Sequence, residues 1–146
     1  MTKVGEHVTL DIIGTEKEYE PKFFEKLVYK ISKKAKVTVL EISKYKFEPQ
    51  GFTLVALLAE SHISFHTFPE RGIISFDFFT CGKVNPNVAY DILKKEIKHK
   101  RIVKKEFNRD TISYYDDIYS SPGLKKYYMV KDCLLYTSPS PRDNRW

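Results

Sequence analysis

The segments ISFHTF (residues 63–68), PERG (69–72) and IISFDFF (73–79) decide the fold, because they predict two strands joined by a tight turn. In the first segment apolar and polar side chains alternate, which is typical of a strand with one buried face. Pro69 and Gly72 favour a turn, and the last segment is again rich in β-branched and aromatic residues. We therefore predict an antiparallel hairpin near the middle of the chain.

Four further segments predict strands on either side of this hairpin. His7–Ile13 alternates polar and apolar residues up to Gly14, and Val37–Ile42 is a short, mostly apolar run. Phe52–Glu60 is apolar on both alternating faces, which predicts a strand near the centre of a sheet. A last strand is predicted over Ile102–Phe107.

Two helices are predicted from apolar residues that recur at steps of three and four. The first begins at Pro21, since proline is favoured in a first helical turn, and it ends near Lys34. The second is predicted to begin at Pro86 with Asn85 as its N-cap. The expected buried stripes are Phe23, Phe24, Leu27, Val28 and Ile31 in the first helix, and Val88, Ile92, Leu93 and Ile97 in the second.

The order β-α-β-β-β-β-α-β predicts an α+β fold, a two-layer sandwich in which helices cover one face of a mostly antiparallel sheet. Because the strands are apolar on both sides, we expect the other sheet face to pack against its counterpart in a homodimer. Residues 1–132 are predicted to form one domain. Residues 133–146 lack hydrophobic periodicity and are expected to be a disordered or extraneous tail.

The composition limits the classes of protein that are possible. The chain has 146 residues, 42% of them hydrophobic, which predicts one globular domain with a substantial core. The longest nearly apolar run, Phe52–Ala59, is too short for a membrane span, and no secretion signal opens the chain, so we expect a cytoplasmic protein without a membrane partner. Cys81 and Cys133 can form neither a disulfide framework nor a four-ligand zinc site, and no metal site is predicted.

The formal net charge of +6 raises the question of nucleic-acid binding. Much of the positive charge lies in two basic runs with helical spacing, within residues 30–36 and 94–105. Such runs usually form solvated outer faces, and these two have neither interleaved aromatic residues nor a recognised binding motif. We therefore expect no nucleic-acid partner.

The central hairpin also carries the residues that point to chemistry. A hydroxyl, imidazoles, carboxylates and a thiol occur within ESHISFHTFPE (residues 60–70) and DFFTCG (77–82). If the first strand buries its odd-numbered residues, its opposite face carries His62, Ser64 and His66. Spacing alone favours an ordinary structural role for these side chains over catalysis.

This combination of motifs resembles the prokaryotic S-adenosylmethionine decarboxylase family, self-processing pyruvoyl enzymes of polyamine synthesis. The Glu-Ser-His, His-Thr-aromatic-Pro-Glu and Thr-Cys-Gly elements occur in the order and spacing of that family, and Gly5-Glu6-His7 resembles its opening Gly-x-His. The resemblance covers Val4–Phe107 in element order. It implies a carboxy-lyase that releases CO₂ from S-adenosylmethionine and gives decarboxylated S-adenosylmethionine for spermidine synthesis.

The resemblance also implies how the chain matures. It places cleavage between Glu60 and Ser61, which gives a β chain of residues 1–60 and an α chain of residues 61–146. Attack of the Ser61 hydroxyl on the Glu60 carbonyl forms an ester, which makes elimination feasible. Ser61 then becomes a pyruvoyl group, a cofactor derived from the chain itself, which forms a Schiff base with the substrate.

Three more chemical roles follow from the same resemblance. His66 is the proton-transfer group of processing, and Thr53 stands where relatives often carry a Ser that assists it. An imidazole suits this role because it exchanges protons near neutrality. Cys81 is the implied proton donor in catalysis.

The resemblance places substrate contacts at two aromatic residues and one acid. Phe47 and Phe68 stand where rings enclose the adenine, and Glu70 stands where a carboxylate holds the ribose hydroxyls. Many relatives carry Trp or Tyr at the position of Phe68, so the ring here is smaller than is usual.

Two alternatives stay open. Pyruvoyl-dependent relatives with this motif set decarboxylate arginine or ornithine, and acidic groups in the pocket, in place of an aromatic slot, would favour such a substrate. A non-catalytic homologue that regulates an active partner is the second alternative. The presence of Ser61, His66 and Cys81 argues against it, since an inactive copy has no need of all three.

Overall fold

The computed structural model describes residues 3–81 and 83–110, so Cys133 and the expected tail at 133–146 lie outside the described residues. The elements along the chain are β1 (Lys3–Ile13), α1 (Pro21–Ala35), β2 (Val39–Lys46), β3 (Phe52–Leu58), β4 (Ser61–Phe68), a short 3-10 helix (Pro69–Arg71), β5 (Ile73–Cys81), α2 (Val88–Glu96) and β6 (Arg101–Asp110). This order confirms the α+β prediction and each of its strands and helices.

The described strands form one six-stranded antiparallel sheet in the order β2-β3-β4-β5-β1-β6. The predicted hairpin of β4 and β5 lies at its centre, with His62 opposite Phe79 and Phe68 opposite Ile73. β2 and β6 are the edges. β3, predicted near the centre, lies next to the β2 edge.

The core lies between the two helices and one face of the sheet. The residues that α1 buries include Phe24, Leu27 and Val28, as the helical spacing predicts. The Phe24 ring contacts the rings of Phe52 and Phe65, each with its centroid 4.9 Å away. Burial of one such side chain stabilises the fold by roughly 1.5–3 kcal/mol. We call this side of the sheet the covered face.

The second helix begins later than the sequence predicts. α2 starts at Val88 with Asn87 as its N-cap, whereas the prediction was a start at Pro86 with Asn85 as the cap. The Asn85 side chain instead accepts a hydrogen bond from the Asn87 backbone N–H, 2.9 Å away, and the Pro86 carbonyl accepts one from Ala89. Asn85 therefore stabilises a turn that precedes the helix.

Two strand boundaries also differ from prediction. β2 covers residues 39–46 instead of 37–42, because Val37 follows the C-cap of α1 and its N–H donates to the carbonyl of Ser32 in that helix. The second half of β2 is polar and exposed, as suits an edge strand, so its sequence lacks the expected apolar pattern. β3 ends at Leu58 instead of Glu60, because the two residues that follow form a turn.

The other side of the sheet, which we call the uncovered face, carries exposed apolar side chains in the single chain. Val55 and Leu57 of β3 are 41% and 51% exposed. β3 is therefore apolar on both sides, whereas the neighbouring strands carry polar side chains such as Ser64 and Asp77 on this face. Packing of this face in a homodimer stays a prediction. The described lysines of both basic runs are exposed. None of the helices in the described part of the chain is long and apolar enough to cross a membrane.

Candidate active site

The predicted cleavage site lies in the two-residue turn between β3 and β4. Leu58 pairs with Ser61, which leaves Ala59 and Glu60 in the turn. Glu60 has a φ of 57°, in the left-handed region that costs a non-glycine residue roughly 1–2 kcal/mol. Ser61 is only 7% exposed, and its Oγ lies 3.5 Å from the Ala59 carbonyl oxygen. A buried hydroxyl therefore follows directly after a strained residue.

Cys81 lies at the same end of the sheet as this turn. His62 is opposite Phe79 in the pairing of β4 with β5, and Cys81 lies two residues further along β5, as its last residue. Cys81 is 6% exposed, so its thiol is removed from bulk water. The predicted proton donor and the predicted pyruvoyl position thus lie at the same end of the sheet.

Three polar side chains are joined by hydrogen bonds on the uncovered face near this turn. Ser64 Oγ donates to Asp77 Oδ2 across 2.9 Å, and His7 Nε2 lies 3.2 Å from Asp77 Oδ1. An ionised carboxylate only accepts hydrogen bonds, so His7 is the donor. The His7 ring meets His62 edge-on with centroids 6.2 Å apart, and His62 stacks on Phe79 at 5.8 Å.

The imidazole of His62 has a shifted pKa. Burial lowers the pKa of His62, the neighbouring His7 lowers it further, and the Asp77 carboxylate partly opposes both effects. The ring is therefore neutral near pH 7, and in this form one nitrogen can accept a proton.

Gly5, from the predicted Gly-x-His motif, lets β1 lie close to β5. A Cβ at this position would lie 2.4 Å from the Thr80 carbonyl oxygen and 2.8 Å from the Phe79 ring. Contacts this short do not occur, so any other residue would displace β1 from its partner. The glycine thereby keeps His7, two residues further along β1, beside the cleavage turn.

The remaining predicted residues meet at the opposite end of β4. Phe47, Thr53, His66, Phe68 and Glu70 all line one open cavity of about 280 Å³. A hydrogen bond of 2.9 Å joins Thr53 Oγ1 to His66 Nδ1, so the predicted processing pair is in contact. Both phenylalanine rings are partly exposed to solvent. We call this group the aromatic pocket.

The end of the sheet that holds the turn, Ser61, Cys81 and the hydrogen-bonded group around Asp77 is here called the cleavage end. It is separated from the aromatic pocket. Ser61 and His66 are five residues apart on β4, or about 17 Å at the usual rise per residue. Ser61 pairs with the core residue Leu58 and so points to the covered face, whereas His66 pairs with Thr53 on the uncovered face. One chain therefore does not bring His66 to the Ser61 hydroxyl.

Two residues of the cleavage end have contacts that the sequence did not reveal. Asp77 bonds to Ser64 because the strand register sets the two opposite each other, and no motif spacing reports that register. His7 was visible within the Gly-x-His motif, but its contact with Asp77 joins residues 70 positions apart.

Comparisons with known proteins agree on one family. The S-adenosylmethionine decarboxylase family matches residues 6–110 of this chain. An S-adenosylmethionine decarboxylase proenzyme from Prochlorococcus marinus (strain MIT 9313) is 39% identical over 111 residues, which are 74% of this chain and 89% of the relative. The proenzyme from Brevibacillus brevis is 36% identical over 108 residues, covering 72% of this chain and 81% of the relative.

A solved structure is similar as well. The crystal structure of the adenosylmethionine decarboxylase from Aquifex aeolicus VF5 aligns with a TM-score of 0.65 and 34% sequence identity. The alignment covers 75% of this chain and 93% of that protein. The similarity therefore extends over nearly the whole of the solved chain.

Proposed function

Because this chain belongs to the S-adenosylmethionine decarboxylase family, we propose that it is a proenzyme that cleaves itself between Glu60 and Ser61 and then decarboxylates S-adenosylmethionine. One observation carries the proposal. The buried Ser61 hydroxyl follows directly after the strained Glu60, and Cys81 is the last residue of β5 at the same end of the sheet. Nucleophile, scissile bond and proton donor thus share one end of the sheet.

The proposed cleavage needs no external cofactor. Ser61 Oγ attacks the Glu60 carbonyl carbon, the peptide C–N bond breaks, and an ester replaces the amide. Removal of the Ser61 Cα proton then breaks the Cβ–Oγ bond and releases Glu60 as a carboxylate. The new enamine end tautomerises to an imine, and one water replaces its nitrogen, which leaves as ammonia. The α chain then begins with a pyruvoyl group at position 61.

The residues present fit this group. When formed, the pyruvoyl group would supply a ketone that captures the substrate amine and takes up the electrons left by the departing CO₂. Burial of Ser61 would hold position 61 away from water, and the Cys81 thiol at the same end of the sheet would return a proton to the substrate carbon.

We further propose that two chains complete each active site by packing their uncovered faces together in a homodimer. The separation of His66 from Ser61 supports this, since neither can serve the other within one chain. The exposed Val55 and Leu57 offer apolar area for such an interface. A two-fold axis would oppose the strands of the two chains, so that the aromatic pocket of one chain meets the cleavage end of the other.

S-adenosylmethionine is the proposed substrate because of the character of the aromatic pocket. The rings of Phe47 and Phe68 offer flat faces on which an adenine can stack. Glu70 is the acid among the lining residues, which suits ribose hydroxyls. We place the enzyme in the cytoplasm, where reducing conditions would keep the Cys81 thiol available.

The proposal is tested by measuring CO₂ release from carboxyl-labelled S-adenosylmethionine, arginine and ornithine, each supplied alone to the cleaved protein. We expect release from S-adenosylmethionine, and none from any of the three with the Ser61→Ala chain as control. Turnover of arginine or ornithine alone would contradict the proposed substrate. A fully cleaved protein that releases no CO₂ from any of the three would contradict the proposed activity.

A further inference from the structure

The hydrogen-bonded group of Ser64, Asp77 and His7 joins three neighbouring strands, β4, β5 and β1, on the uncovered face. Each oxygen of the Asp77 carboxylate has its own partner, Ser64 on one side and His7 on the other. The proposed function gives this group no task. Nevertheless it lies at the cleavage end, since His62, which the His7 ring contacts, is bonded directly to Ser61.

The His7 ring is fixed from several directions. Its centroid lies 6.0 Å from Phe79, 6.1 Å from Phe107 and 6.2 Å from His62, and Asp77 holds its Nε2. Ring contacts alone leave the ring free to flip between two orientations, whereas the hydrogen bond to Asp77 selects one. In the neutral ring Nε2 then carries the proton and Nδ1 is the accepting nitrogen.

Such a ring suits a reaction that moves protons. Self-cleavage requires a group that takes the proton from the Ser61 Cα, and a neutral imidazole can accept it. The Ser61 hydroxyl points to the covered face, whereas His7 and His62 lie on the uncovered face. The neutral His62 ring, which His7 contacts, is therefore the acceptor suited to the Cα proton and not to the Oγ proton. A cavity of about 490 Å³ opens beside His7, between β1, β6 and the loop before α2. Water in this cavity can therefore reach the His7 ring.

We propose that Asp77 is a positioning residue of self-cleavage: by binding His7 and Ser64 it orients the His7 imidazole against His62, beside the Glu60–Ser61 bond. The inference rests on the proposed self-cleavage. It adds Asp77 and His7 to the residues that set the cleavage rate.

The first test compares cleavage rates of the full-length chain by denaturing mass spectrometry. Asp77→Asn keeps the shape of the side chain and removes its charge, and we expect cleavage to slow at least about tenfold, part of what a positioned proton-transfer group contributes. Asp11→Asn is the matched control, because Asp11 also bonds to a serine of β5, Ser75, but lies four residues from His7 along β1. It is expected to cleave at the unsubstituted rate.

The second readout is the pH profile of cleavage, which a merely structural role would not move. His7 from β1 and Asp77 from β5 act on the charge of His62, and Arg109 from β6 lies over the neighbouring Phe79 ring at 5.5 Å. Since the Asp77 carboxylate raises the pKa of His62 against the other effects, loss of its charge lowers that pKa further. The acidic limb of the Asp77→Asn profile should therefore shift to lower pH, because the neutral imidazole persists there.

A second variant keeps the inference testable if Asp77→Asn does not fold. His7→Phe keeps an aromatic ring among Phe79, Phe107 and His62 and removes the bond to Asp77. It should show the same slow cleavage at an unchanged melting midpoint, and the double variant should be no slower than the slower single one. The inference would be overturned if folded Asp77→Asn cleaved at the unsubstituted rate and the acidic limb of its pH profile did not shift. Cleavage of His7→Phe at the unsubstituted rate would also overturn it. An uncut unsubstituted chain would instead refute the proposed self-cleavage, and this inference with it.

Discussion

The cleavage end and the aromatic pocket lie at opposite ends of the same strand and differ in almost every physical property. At the cleavage end the side chains are buried, a backbone residue is strained, and hydrogen bonds join neighbouring strands. In the aromatic pocket the rings of Phe47 and Phe68 remain 48% and 39% exposed. The strands of a single chain hold the groups of the first region in place, whereas the second presents a surface that another molecule can cover.

The difference shows how a short chain can assemble an active site that needs many precisely placed groups. Sheet register positions buried groups accurately because each strand is held by its neighbours on both sides. A partner chain can supply the rest, since a two-fold axis repeats every residue on the opposite side of the interface. Each region can be altered separately, so the division of tasks between them is testable.

The largest effect is expected from Ser61→Ala, which acts on the cleavage end alone. Without the hydroxyl no ester can form, so the chain should remain at full length, with no CO₂ release from S-adenosylmethionine. Denaturing mass spectrometry measures the first outcome directly. Ser32→Ala, at another buried serine in α1, is the matched control and should cleave normally. Cleavage after residue 60 in Ser61→Ala would show that Ser61 is not the nucleophile.

The second prediction concerns His66, which belongs to the pocket but is proposed to serve the cleavage of a partner chain. His66→Ala alone should cleave at least about 100-fold more slowly, as loss of a proton-transfer group requires. Co-expression with Ser61→Ala should restore cleavage to roughly half of the His66→Ala chains, the share expected to pair with a chain that retains His66.

The control for this experiment is His99→Ala, at a histidine that lies after α2, and it should cleave at the unsubstituted rate. If the His66→Ala chain stays uncut beside its Ser61→Ala partner, sites shared between chains are ruled out. If it cleaves at the normal rate when expressed alone, His66 has no part in processing.

The third prediction separates catalysis from maturation within the cleavage end. Cys81→Ala should still cleave, since the hydroxyl and the turn are intact, but turnover should fall by about 100-fold because the substrate carbon loses its proton donor. Single-turnover CO₂ release and product analysis measure this loss. Cys133→Ala provides a thiol control and should keep full turnover, and unchanged turnover in Cys81→Ala would remove the thiol from the mechanism.

The smallest effect is expected in the aromatic pocket. Phe47→Ala removes one stacking face, so KM for S-adenosylmethionine should rise by about 2- to 12-fold, which corresponds to roughly 0.5–1.5 kcal/mol, while chain cleavage stays normal. Tyr29→Ala, at an exposed ring of α1, is the matched control. A fall in kcat with unchanged KM would show that the ring serves the chemistry and not the binding of substrate.

The sequence was most informative where a pattern is local. The alternation in residues 63–68 and 73–79 predicted the central hairpin, and the period of α1 predicted its buried stripe. The pattern failed for β2, since an edge strand is half solvated and need not alternate. The start of α2 was misplaced because Asn85 can cap a turn as readily as a helix.

The candidate site was predictable as a set of residues but not as an arrangement. The resemblance to a known family, and not spacing alone, identified Ser61, His66 and Cys81 as candidates, and all three lie in the central hairpin. Their division between two ends and two faces of the sheet depends on strand register, which pairs residues far apart in sequence. The bond between His7 and Asp77 is hidden for the same reason.

The central claim is that the chain cleaves itself between Glu60 and Ser61, and the intact mass of the purified protein after incubation tests it most directly. We predict two chains, residues 1–60 and 61–146, with the second lighter than its serine-ended form by the mass of one ammonia. The serine hydroxyl oxygen leaves with Glu60 and a water oxygen takes its place, so the oxygen count does not change. A single uncut chain after prolonged incubation would contradict the claim, and so would a second chain that begins with an ordinary serine.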